Sequence, residues 1–180
     1  PHSILEMLQS TLREGKWKVT VAVDHDGIMR GIWSDFREHL YGIAVDIGST
    51  TLAAHLCELG SGEVLSSAGM MNPQIRFGED LMSRVSYVML NQDGEKELTK
   101  SVREALNQLS LEVCEQAGVQ KEEVMEMVMV GNPVMHHLVH GINPVELGGA
   151  PFALATDEAI ISPASELDLE LHQLAQTYTL

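Results

Sequence analysis

The segment best equipped for chemistry is Val45-Asp46-Ile47-Gly48-Ser49-Thr50-Thr51, where an aspartate, a glycine and three hydroxyl residues follow a predicted strand. Gly48 has no Cβ, so a phosphate group can approach the backbone there. The N–H groups of the turn and the hydroxyls of Ser49, Thr50 and Thr51 can donate to phosphate oxygens. Asp46 stands at the mouth of the strand as the candidate catalytic residue. It is also the candidate magnesium holder, acting through water because magnesium keeps much of its hydration shell. No lysine follows the glycine, which excludes a GxxxxGK[ST] loop. A plain β-turn closed by a buried aspartate is the competing reading of the same string.

Other polar groups carry weaker signals. Arg76, Glu79, Asp80 and Arg84 concentrate charge at the start of a predicted helix, a site for substrate or simply a solvated first turn favoured by the helix dipole. Asp80 and Arg84, four apart, can also pair with each other. His136 and His140 share a helix face, with His137 beside them, but the HExxH glutamate and a third ligand are missing, which argues against zinc. Gly131-Asn132, after an apolar strand, reads as a turn in which Asn132 either caps the next helix or contacts a ligand. Cys57 and Cys114 offer no disulfide framework, no CxxC metal pair and too few thiolates for an iron–sulfur cluster.

The elements that must position these residues follow from periodicity. Residues 1–40 form a small α+β piece, read as the end of a preceding middle or linker domain. Ser3 and Glu6 suggest a capping box for a helix that buries Ile4, Leu5, Leu8 and Leu12 and ends at Gly15. Trp17, Val19, Val21 and Val23 then alternate as a half-buried strand, Asp24-His25-Asp26-Gly27 turns, and Ile28–Trp33 returns. From Tyr41 the class is α/β. Tyr41–Ile47, Thr51–Leu59 and Glu63–Met70, joined by short turns, make an antiparallel meander. Helices follow from about Glu79 to Leu90, with Leu81, Met82, Val85, Val88 and Met89 on one face, and from about Glu95 to Ala117. Val124–Val130 is expected as a central strand covered on both faces and parallel to the first. Asn132 and Pro133 begin a short helix. Phe152–Ile161 is the expected fifth strand, and Ser165–Thr177 an expected helix.

Three separated strings resemble one family in order. They are Asn72-Pro73-Gln74-Ile75-Arg76-Phe77-Gly78-Glu79-Asp80-Leu81-Met82-Ser83-Arg84, then Val130-Gly131-Asn132-Pro133-Val134-Met135-His136-His137, then Leu147-Gly148-Gly149-Ala150-Pro151-Phe152. With the D-x-G-[ST]-T match at Asp46, Gly48, Ser49 and Thr50, the chain resembles the C-terminal ATPase domain of reductive activators of corrinoid proteins (RACo-like), of the actin-like ATPase superfamily. The resemblance implies that 41–180 is the first, ribonuclease-H-like half of such a domain, a mixed sheet of meander plus parallel strand. It implies ATP and magnesium as cofactors, with Asp46, Gly48, Ser49, Thr50, Thr51, Gly131 and Asn132 at the nucleotide. Asn72, Gln74, Arg76, Glu79, Asp80 and Arg84 would face a substrate or partner cleft. A corrinoid protein and the remaining half of the ATPase domain are the implied partners, with homodimerisation left open. Family members also carry a [2Fe–2S] cluster, which belongs to the full-length protein and not to this chain.

The whole-chain quantities agree with that reading. The 180 residues carry a net charge of −15, which disfavours nucleic acid and anionic membrane surfaces as partners. No apolar run reaches the roughly 20 residues of a membrane span, and the start, PHSILEM, lacks signal-peptide character and an initiator Met. A cytoplasmic fragment is expected. Three functions then compete: an ATPase fragment whose nucleotide drives conformational change or partner release in corrinoid activation, a small-molecule kinase of the same superfamily using Asp46 as base, or a non-catalytic partner-binding domain. Without a second phosphate motif, the fragment alone is expected to be inactive.

Overall fold

The computed structural model describes residues 2–24 and 26–180. Helix α1 (His2–Glu14) packs on an antiparallel hairpin of β1 (Thr20–Val23) and β2 (Met29–Trp33). Ser3 lies inside the helix and so does not cap it; Glu6 instead reaches His2 one turn back, at 3.3 Å. The buried stripe is also rotated: Ile4 is enclosed with Met7 and Leu8, and Leu5 is exposed. The strand parity is reversed too. Lys16 and Trp17 take positive φ angles of 50° and 67°, a tight turn that delays the strand to Thr20. Ala22 therefore points inward, and Val21 and Val23 are 43% and 53% exposed. A slip of one residue exchanges the two faces of a strand. Part of the expected turn, His25, lies outside the described residues. Asp24 accepts from the N–H groups of Asp26 (3.0 Å) and Ile28 (2.9 Å) and from Arg30 Nε (2.8 Å). This small piece does not close a core alone: Ile4 and Ile32 share theirs with Met125 and Leu174 of the larger unit.

The larger unit is a mixed six-stranded sheet. β3 (Tyr41–Ile47), β4 (Thr51–Glu58) and β5 (Val64–Met71) form the meander. The chain crosses over through α2 (Leu81–Leu90) and α3 (Gly94–Ala117) to β6 (Val124–Gly131), which runs parallel to β3. The crossover is long enough for that topology, as the sequence implied. Then come α4 (Pro133–Val139), β7 (Ile160–Pro163) and β8 (Gln176–Thr179), with strand order β5-β4-β3-β6-β8-β7. β8 joins β6 in parallel, and β7 adds an antiparallel edge.

The tail departs from expectation. The fifth strand of the main sheet in chain order, β7, takes only the end of Phe152–Ile161, and a sixth, β8, begins where the segment expected as a helix ends. Glu166, Asp168 and Glu170 alternate with buried Leu167, Leu169 and Leu171, a period of two that a helix cannot bury on one side. Asp168 at φ 54° turns the chain after a single 3-10 turn.

One face of the sheet holds the core. Ile43, Val45, Ile47, Leu52, Leu56, Met127 and Met129 meet Val85 and Val88 of α2, the α3 stripe Leu98, Val102, Leu106, Leu109 and Val113, and Met135 and Leu138 of α4. Met82 and Met89, expected on the buried face of α2, are exposed. The opposite sheet face is open around Ala44, Asp46, His55 and Val130, so β6 is not covered on both faces along its length. Glu126, an acid in an otherwise apolar strand, lies on that less-covered side. Leu106→Ala in α3 should therefore lower stability by about 3 kcal/mol. Leu111→Ala, on the exposed side of the same helix, should stay within about 0.5 kcal/mol. Urea denaturation of both variants measures the difference.

Candidate functional site

β3 ends at Ile47, which pairs with Leu52, and residues 48–51 make the turn between them. Three consecutive carbonyls of that turn are held from beneath. Asn72 Nδ2 donates to the Gly48 carbonyl (2.8 Å), Arg84 Nη2 to the Ser49 carbonyl, and the Asn72 N–H to the Thr50 carbonyl (2.8 Å). In a trans peptide the C=O of one residue and the N–H of the next point in opposite directions. The N–H groups of Ser49, Thr50 and Thr51 are therefore turned away from those donors. Among the described residues, none accepts the N–H of Ser49 or Thr50. A Cβ on Gly48 would lie 2.5 Å from the Thr51 carbonyl oxygen, so the turn itself already demands glycine.

The donors are in turn fixed by one polar network. Asn72 caps the 3-10 turn Pro73–Arg76, its Oδ1 accepting from the Gln74 N–H at 3.0 Å. Gln74 Nε2 donates to the Leu98 carbonyl (2.9 Å), and its Oε1 accepts from Arg84 Nη1 (3.1 Å). Arg84 Nε donates to the Gly78 carbonyl at 3.0 Å, and Met135 Sδ of α4 touches Arg84 Nη1 at 3.2 Å. Asn72, Gln74 and Arg84 are all buried. Burial pushes the Arg84 guanidinium below its ordinary pKa, opposed by the charge of Asp80.

The six residues expected at a cleft thus separate. Asn72, Gln74 and Arg84 lie beneath the turn, and Arg76, Glu79 and Asp80 are exposed. Arg84 is directed to Gly78, Gln74 and Ser49 rather than to Asp80. Asp80 instead caps α2, accepting from the Ser83 N–H at 2.8 Å, and those bonds hold its carboxyl below the usual range. Arg76 stacks over the Phe77 ring at 4.6 Å.

Asp46 is exposed on the open sheet face, in register with Ala53 and Val130, and not buried as a plain structural turn would have it. Gly131 is level with Ile47, and a Cβ there would come within 3.2 Å of the Ile47 carbonyl oxygen, so β6 ends tightly against the base of the turn. Asn132 caps α4 through Oδ1, which accepts from the Met135 N–H at 3.1 Å. Beside Gly131 opens a cleft of about 360 Å³, walled by Pro133, His136, His137 and the loop around Asp157.

The histidines do not converge as ligands. His137 Nε2 accepts from the Ala155 N–H (3.1 Å), and His140 Nε2 pairs with Thr179 Oγ1 (2.9 Å). No group of three His, Cys, Asp or Glu among the described residues is placed to hold a metal ion. Burial first, then His136 and Arg103, pushes the His140 imidazole down to about 4.

Fold and site together define a mixed α/β domain whose turn between the first two strands of the main sheet leaves the Ser49 and Thr50 N–H groups without an acceptor among the described residues. Residues 41–180 match the family model described as the RACo middle region, beginning where β3 begins, and the chain belongs to that family. It is 34% identical over 148 residues to the corrinoid activation enzyme RamQ of Eubacterium limosum, covering 82% of this chain and 25% of that protein. It superposes on a solved reductive activator for a corrinoid, iron-sulfur protein with a TM-score of 0.90 and 35% identity, over 99% of this chain and 29% of that one. The chain thus spans between a quarter and a third of the length of these relatives. Among the described residues, no helix is long and apolar enough to cross a membrane.

Two outcomes follow from the site's geometry. Asn72→Ala strips the Gly48 carbonyl and the Gln74 N–H of their partners, and should cost about 2 kcal/mol in urea denaturation. His140 is neutral in the fold down to about pH 4, whereas the unfolded chain takes up its proton near 6.5. Its contribution is fully present above about pH 6.5 and lost as pH falls toward 4. His140→Gln should flatten the fall in urea midpoint between pH 7 and pH 4.5.

Proposed function

We propose that this chain is the phosphate-turn half of an actin-like ATPase unit within a longer corrinoid-activating protein. ATP would drive conformational change or release of a corrinoid protein partner. The observation that carries the reading is the turn at 48–51, whose carbonyls are pinned inward so that the Ser49 and Thr50 N–H groups remain free for an acceptor. The strand order, with a meander edge, a parallel centre and the turn after the first main strand, supports a ribonuclease-H-like unit, and the family membership favours the same reading.

The residues present fit a magnesium–nucleotide ligand. Free N–H groups and the hydroxyls of Ser49, Thr50 and Thr51 suit phosphate oxygens, and exposed Asp46 suits a hydrated cation. Magnesium, when bound, supplies the charge that neutralises the phosphates during transfer. Asp46 would hold that cation's water in place, Gly131 would keep the neighbouring strand end clear of the turn, and Asn132 would fix the start of α4. In this reading the adenine pocket and second phosphate loop belong to the other half of the ATPase unit, and any [2Fe–2S] cluster to another part of the polypeptide.

Isothermal titration and phosphate-release assays on the complete protein test the proposal. Asp46→Ala should abolish ATP hydrolysis while leaving the fold intact by circular dichroism. Gly48→Val should weaken ATP binding together with the turn. Residues 1–180 alone should bind ATP at least about a hundredfold more weakly than the complete protein, the factor expected when a linked second subsite is lost. Full ATPase activity in Asp46→Ala would overturn the assigned role, and tight ATP binding by residues 1–180 would overturn the half-site reading.

A further inference from the structure

We propose that Arg84 is a positioning residue of this turn, which fixes the Ser49 peptide and supplies from beneath it the positive charge that a polyphosphate bound above completes. The inference rests on the phosphate-turn reading and adds to it the source of the site's electrostatic preference.

Four observations carry it. Arg84 is fully enclosed, the only Lys or Arg among the described residues that is. Its partners are all neutral: the Gly78 carbonyl, Gln74 Oε1, the Ser49 carbonyl and Met135 Sδ. No carboxylate of the described residues forms an ion pair with it, and Asp80, the acid that most perturbs it, is exposed and committed to capping α2. Enclosing a guanidinium without a counter-ion is costly. That cost is not needed to hold a carbonyl, because the neutral amide of Asn72 holds the adjacent one at 2.8 Å.

The whole-chain charge gives the reason. This chain of net charge −15 repels a polyphosphate. A positive charge one peptide away from the free N–H groups, inside the low-dielectric core, offsets that repulsion and escapes screening by salt. An exposed lysine would serve less well, since solvent and ions weaken it.

Affinities of the complete protein for ATP, ADP and AMP, wild type against Arg84→Gln, test this. The losses should be graded with ligand charge: about thirtyfold for ATP, about tenfold for ADP and about twofold for AMP, the direction Coulomb's law requires. A purely structural Arg84 would give the same losses in Arg84→Lys, which keeps the charge without the fork, as in Arg84→Gln, and that result, or no loss in either, overturns the inference. If Arg84→Gln does not fold, Arg84→Lys alone decides. It should then bind every ligand somewhat more weakly while preserving the wild-type ratio of ATP to AMP affinity, and a collapsed ratio overturns the inference. Wild-type protein that binds ATP no better than AMP would instead refute the phosphate-turn reading itself.

Discussion

The hold of two buried residues, Asn72 and Arg84, on three successive turn carbonyls is the constraint on which the rest of this structure hangs. A turn of that tightness has few backbone bonds of its own, so its shape must be imposed from below. Asn72 and Arg84 impose it: Asn72 Oδ1 accepts from the Gln74 N–H, and Arg84 donates to Gln74 Oε1 and to the Gly78 carbonyl in the loop before α2. Met135 ties the same network to α4. Four elements distant in sequence thus converge under four residues. The hydrophobic core around them, with α3 laid across the sheet, provides the dry setting in which such hydrogen bonds are strong.

This arrangement also explains why the turn looks outward. A carbonyl bound inward leaves the next N–H pointing outward, so a purely structural requirement creates a row of donors. The open sheet face continues from there through Asp46 and Val130. The side of the molecule that lacks a covering layer is the side on which the carboxylate stands.

Much of this was legible in the residues, and the failures have physical causes. The meander, the parallel β6 and the turn at Gly48 followed from alternation, short connections and a long crossover. Arg84 was misplaced because a charged residue at a helix start reads as solvated. Yet it falls on the same stripe as Leu81, Val85 and Val88, and a lone arginine on an apolar stripe was the available signal. The reversed parity of β1 was not legible, since it arises from positive φ at Lys16 and Trp17, residues with no glycine-like mark. In the tail, Ser165–Thr177 was expected as a helix, although leucines spaced by two with acids between them favoured an extended path.

The two borders of the sheet are not equivalent. β7 is four residues long and ends in Pro163, which has no N–H to offer a newcomer. β5 is twice that length and contains no charged residue and no proline between Val64 and Met71. An edge of that kind is a template on which another extended chain can add itself. Handled as an isolated domain, this polypeptide carries its aggregation liability at β5.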